Sequence, residues 1–115
     1  MPLIASYSFG RIEIDHKAYS NDIIILPDGS IICPWWRKEG HCLEVADLDE
    51  LISRKPEIIV AGTGASGLMK PAIELQEFLA QRSIELIAQP TGDAVQTYNR
   101  LSGTRKIGAC FHLSC

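Results

Sequence analysis

The segment Glu57-Ile58-Ile59-Val60-Ala61-Gly62-Thr63-Gly64 constrains this chain more than any other. Residues 58–61 are apolar at both phases of the two-residue strand period, so they read as a strand covered on both faces. Such a strand belongs inside a sheet with one layer above it and another below. The glycines that follow permit positive φ and close packing of the strand end against its neighbours.

Helix and strand alternate around this segment. Asp47 is expected to cap a first helix, with Glu50 completing a capping box and Leu48, Leu51 and Ile52 forming its buried stripe before Pro56 stops it. Pro71 suits the first turn of a second helix, whose apolar face is Ala72, Leu75, Phe78 and Leu79. Ser83-Ile84-Glu85-Leu86-Ile87 then returns as a strand. A third helix is expected to start from Thr91 as cap, carry Ala94, Tyr98 and Leu101 on one side, and end at Gly103. In a final strand Ile107, Ala109, Phe111 and Leu113 share one face while Gly108, Cys110 and His112 share the other. The short connections predict parallel strands joined by right-handed crossovers.

The first third reads as β. Tyr7 and Phe9, then Ile12 and Ile14 alternating with Arg11, Glu13 and Asp15, predict a first hairpin around Gly10. Residues 23–26 and 31–33 flank Pro27-Asp28-Gly29, where Pro presets φ and Gly supplies a positive one, which predicts a second, tight hairpin.

Length and composition narrow the function classes. A chain of 115 residues is the size of one domain, taken here as residues 1–115. Its 46% hydrophobic and 22% charged residues fit a folded globular chain. No apolar run approaches the roughly 20 residues of a membrane span. The net charge of -3 offers no general attraction for nucleic acid. No basic, then apolar, leader opens the sequence, so a cytoplasmic location is expected, with Cys33, Cys42, Cys110 and Cys115 as free thiols.

Gly62-Thr63-Gly64-Ala65-Ser66-Gly67 matches the G-x-G-x-x-G pattern after a strand. Glycines let backbone N–H groups approach a phosphate, and Lys70 adds a positive charge nearby. A dinucleotide is disfavoured, because the next strand ends in Ala88-Gln89-Pro90 rather than an acid that would hold a ribose. A small anion remains the alternative, contacted by Gly62, Thr63, Gly64, Gly67, Lys70 and Thr91. The other reading of the same turn is packing alone.

Two further groupings carry chemistry. Cys33, His41, Cys42, Cys110, His112 and Cys115 are possible metal ligands, but none forms a C-x-x-C knuckle, so no metal and no cofactor are expected. Cys110 and His112 on one strand face would also seat a thiol beside a base. In Pro34-Trp35-Trp36-Arg37-Lys38-Glu39-Gly40-His41, neighbouring side chains of an extended segment point opposite ways, so one Trp packs inward and the other is exposed. Trp and Arg are enriched at interface hot spots, which makes Trp35, Trp36, Arg37 and His41 the candidate partner surface.

The order Trp36-Arg37, Gly40-His41, residues 57–64, Thr91, Ala94, Thr97-Tyr98-Asn99 and Arg105 resembles a family of small single-domain proteins. That family includes the adipogenesis-associated cytosolic protein of animals and a mitochondrial respiratory complex I assembly factor. The resemblance implies an α/β, three-layer β/β/α single domain, with amino-terminal β-hairpins followed by a βαβαβ-like parallel unit. It also makes a non-enzymatic binding or assembly role, with another protein as partner, the first expectation. The alternative is a small anionic metabolite or nucleotide at residues 62–67, with or without catalysis.

Overall fold

A computed structural model of the chain describes residues 3–115; Met1 and Pro2, included in the expected domain of 1–115, lie outside the described residues. The strands are β1 (Ile4–Ser8), β2 (Arg11–Ile14), β3 (Lys17–Tyr19), β4 (Ile23–Ile25), β5 (Ile31–Ile32), β6 (Cys42–Leu43), β7 (Ile58–Thr63), β8 (Lys70–Pro71), β9 (Glu85–Gln89) and β10 (Ile107–His112). The helices are α1 (Asp49–Ser53), which continues a 3-10 turn at Val45–Leu48, α2 (Ile73–Gln81) and α3 (Thr91–Leu101).

The expected doubly covered strand, β7, stands inside a sheet of order β5-β4-β10-β7-β9. It runs parallel to both β10 and β9, while β4 is antiparallel to β10 and β5 to β4. A separate antiparallel sheet has the order β1-β2-β3. The tight hairpin forms as expected: Leu26 N donates to Ser30 O at 2.8 Å, and Asp28 Oδ1 accepts from Ser30 N at 2.9 Å.

Two apolar clusters cover the two faces of the large sheet. Ile23, Ile25, Ile58, Val60, Ala109 and Phe111 pack against the small sheet and against Ala94, Val95 and Tyr98 of α3. Ile24, Ile59, Ala61 and Cys110 pack against Leu48, Leu51, Leu75 and Leu79. The fold is therefore mixed α/β with a layer on each face, and α3 shares its layer with the small sheet. Crossover handedness accounts for this placement. The step from β7 outward to β9 and the step back over β7 to β10 run in opposite directions, so right-handed connections put α2 and α3 on opposite faces.

Several element ends differ from expectation. The first helical segment begins at Val45, because Asp47 turns back to accept from Glu44 N at 2.8 Å instead of capping a helix in front of it. Pro71 lies in β8 rather than the first turn of α2, since the chain first pairs with Cys42 and Leu43. The strand expected from Ser83 is β9, which begins only at Glu85, after Ser83 closes α2 with φ +57°. Thr91 is the first residue of α3, not its cap, because its hydroxyl is engaged elsewhere. Asn99 ties α3 to the small sheet: its Oδ1 accepts from Ile4 N at 2.9 Å and its Nδ2 donates to Ile4 O at 2.8 Å. Among the described residues no helix is long and apolar enough to cross a membrane.

Candidate functional site

The carboxyl ends of β7 and β10 lie side by side, with His112 paired to Thr63. In α/β sheets this edge is where ligands usually meet the fold, because loops leaving adjacent strands part there. The Gly62–Gly67 turn occupies it. Gly64 has φ +104°, and a Cβ at that position would stand 2.5 Å from Cys115 O and 2.7 Å from Ser114 O. Glycine is therefore required both by the backbone conformation and by the chain segment lying across it.

The turn faces inward more than a phosphate cradle does. Gly64 N donates to Thr91 Oγ1 at 2.9 Å, Ala65 N to Ser114 O at 2.9 Å and Gly67 N to Gly64 O at 3.1 Å. Thr91 Oγ1 in turn donates to His112 O at 2.6 Å. Gly62 and Thr63 are strand residues, buried with the rest of β7. Lys70 is exposed on β8, beside a recess of about 280 Å³ lined by Ser66, Gly67, Lys70 and Gln89. The helix following the turn starts only at Ile73.

The loop over residues 35–41 is anchored at several points. Trp35 is buried, donating Nε1 to Asp47 O at 2.9 Å and N to Asp22 O at 2.8 Å. Trp36 points the other way and is 76% exposed, the alternation expected of an extended segment. Arg37 lies over the Trp35 ring, with its guanidinium carbon 4.8 Å from the centroid. Its side chain is only 6% exposed, so it is not a solvated cation. Lys38 is exposed.

Arg37 is held by Asp22, a residue that sequence reasoning did not single out. Arg37 Nη1 donates to Asp22 Oδ2 at 2.7 Å, and Nη2 donates to Gly40 O at 3.1 Å. The register pairing Phe111 with Ile23 carries on to set Asp22 opposite His112. Asp22 Oδ1 accepts from Leu113 N at 2.8 Å, and Oδ2 lies 2.8 Å from His112 Nδ1. Burial alone would raise the Asp22 carboxyl. The hydrogen bonds from Leu113 N, Arg37 and His112 outweigh it and hold the group below the usual range. The available signal was an acid at the entry of an apolar strand.

Cys110 and His112 do share a strand, but Cys110 is wholly enclosed and burial pushes its thiol up to about 12. A nucleophile needs the thiolate, so Cys110 is a packing residue. The ligating atoms of His41, His112 and Cys115 come within 4.8 Å of one another, a grouping that spacing along the chain does not reveal.

Comparisons with known proteins agree with this architecture. A conserved hypothetical protein from Pyrococcus horikoshii OT3 is 26% identical, with 97% of this chain and 98% of that chain covered and a TM-score of 0.84. MT938 is 27% identical over 100% of both chains, with a TM-score of 0.83. A Mth938-like domain protein from Bordetella pertussis, 19% identical over 97% of this chain and 85% of its own, has the same fold at a TM-score of 0.70. A family profile described as a protein of unknown function (DUF498/DUF598) matches residues 4–112, and the chain belongs to that family.

Proposed function

We propose that this domain is a non-enzymatic binding module that docks another protein through Trp36. The observation that carries this reading is an indole 76% exposed between two residues fixed in the fold, Trp35 and Arg37. Leaving so large an apolar group in water is unfavourable, and presenting it from an anchored loop lowers the entropy lost on binding. Beside it lies a recess of about 320 Å³ whose rim includes Ser20, Asn21, Pro34, Trp36 and Gly40, a mix of polar and apolar groups around the anchor. His41, exposed and next in the chain to Gly40 of that rim, is included in the proposed surface. The resemblance to an assembly factor points the same way, and the proposal takes the domain to act in the cytoplasm.

A photo-reactive amino acid at position 36 should give one discrete adduct in extracts of the native cell. The same group at Gln96, exposed on α3, should not. Identical adducts from both positions would overturn the assignment. An anionic metabolite at residues 62–67 has weaker support, since the amides of Gly64, Ala65 and Gly67 and the Thr91 hydroxyl already have partners. A thermal-shift series with phosphates and nucleotides tests it, because a ligand that binds only the folded chain must raise its stability.

A further inference from the structure

We propose that His41, His112 and Cys115 form a zinc site, with Asp22 as the positioning residue for His112. The three ligating atoms lie within 4.8 Å of one another, and His41 Nε2 is 3.7 Å from Cys115 Sγ. Zinc bonds of about 2.0 Å to nitrogen and 2.3 Å to sulfur place tetrahedral donors roughly 3.5 Å apart, so the His41–Cys115 pair is already spaced for the ion. His41 and Cys115 are exposed and free to close on a metal, whereas His112 is fixed.

The buried member supplies the second observation. His112 is 6% exposed, and its Nε2 is enclosed with no hydrogen-bond partner among the described residues. Nδ1 of His112 lies 2.8 Å from Asp22 Oδ2, which can only accept, and 3.1 Å from Arg37 Nη2, which can only donate and already has Gly40 O as a partner. The shorter contact with the carboxylate favours the tautomer with the hydrogen on Nδ1. The lone pair then resides on Nε2. Carboxylate to imidazole to metal is the arrangement that orients a ligating histidine and raises its basicity. Leaving Nε2 buried without a partner is unfavourable, and a metal ion would satisfy it.

Charge and softness agree with zinc. Arg37 is the cation nearest His112, and Asp22 offsets it at 2.7 Å. Ligation by Cys115 as thiolate removes one positive charge from the ion. Two imidazoles and a thiolate form a mixed N and S set that suits Zn²⁺ over Mg²⁺ or Ca²⁺. Three protein donors leave a fourth tetrahedral position for water or an added ligand.

The test uses the full chain, reduced, stripped with a chelator and titrated with Co²⁺ and then Zn²⁺. The expected result is one Co²⁺ per chain, with a thiolate-to-cobalt charge-transfer band and the visible bands of a tetrahedral ion, both erased by Zn²⁺. Cys115→Ser, at an exposed position, should abolish the charge-transfer band while leaving the circular dichroism unchanged. Asp22→Asn should keep the band and weaken zinc about 10- to 100-fold, as loss of an outer hydrogen bond to a ligating histidine does. A Cys33→Ser/Cys42→Ser double variant should bind as the parent does. Absence of stoichiometric binding, or a band that survives Cys115→Ser and is lost in the double variant, would overturn the proposal.

Discussion

Thr91 joins Gly64 to His112 through a single hydroxyl, accepting from the Gly64 amide at 2.9 Å and donating to the His112 carbonyl at 2.6 Å. The start of α3 is thereby tied to the ends of β7 and β10 at a wholly buried point. Thr91→Val keeps the volume and removes both bonds, leaving a buried N–H and a buried C=O without partners. Each such group costs about 1–3 kcal/mol, so urea denaturation should show a loss of about 2–6 kcal/mol. Thr91→Ser, which retains the hydroxyl, should recover most of it.

Asp22 makes stability depend on acid. Burial raises its carboxyl, but the Leu113 amide, Arg37 and His112 lower it further, so the folded group loses its proton more readily than the unfolded one. A depressed folded value means the contribution is complete above the unfolded value of about 3.9 and disappears as pH falls through the folded one. Denaturant midpoints measured from pH 7 downward should therefore fall in the acid range. Asp22→Asn should be less stable at pH 7, because Arg37 loses its counter-charge, and its acid limb should be flatter. Parallel acid limbs for the two proteins would contradict the assignment.

The contrast between Asp22 and β10 shows what a sequence discloses. The two faces of residues 107–113 could be read from alternation alone, because burial on both sides of a strand leaves a local apolar pattern. The hairpin at Pro27-Asp28-Gly29 was legible for the same reason: its turn chemistry is contiguous. Helix starts were harder, since Asp47 has Glu44 behind it and Glu50 ahead at equal spacing, and only the folded loop decides between them. The cluster of Asp22, Arg37 and His112 left only one local trace, the acid at the entry of residues 23–26. Asp22 and His112 are 90 positions apart, brought together by the register of β4 against β10. The inward turn of residues 62–67 was hidden likewise, because its partners Thr91 and Ser114 come from distant segments.

Two glycines on this side of the molecule should respond in opposite directions to alanine. At Gly64, φ of +104° and the Cys115 carbonyl 2.5 Å from a new Cβ leave no room, and relief requires moving residues 114 and 115. Gly64→Ala should therefore cost more than about 1 kcal/mol. Gly92 lies in α3 with nothing within 4 Å of its added Cβ. Gly92→Ala should stabilise the fold by about 0.4–1 kcal/mol through a less flexible unfolded chain and better helix propensity. Thermal denaturation of the two variants beside the parent reads both signs in one experiment.

The adjacent tryptophans offer the sharpest separation of fold from surface. Trp35 is buried, its indole N–H donates to Asp47 O, and its ring carries the Arg37 guanidinium. Trp35→Ala removes a large core side chain and loosens the loop, for an expected loss of about 3–5 kcal/mol. Trp36 is exposed, so Trp36→Ala should change stability by no more than about 0.5 kcal/mol. Fluorescence quenching by acrylamide distinguishes them independently: Trp36→Phe should remove the readily quenched component and leave the protected emission of Trp35. If Trp36→Ala instead unfolds the chain, the indole belongs to the core and the docking role assigned to it fails.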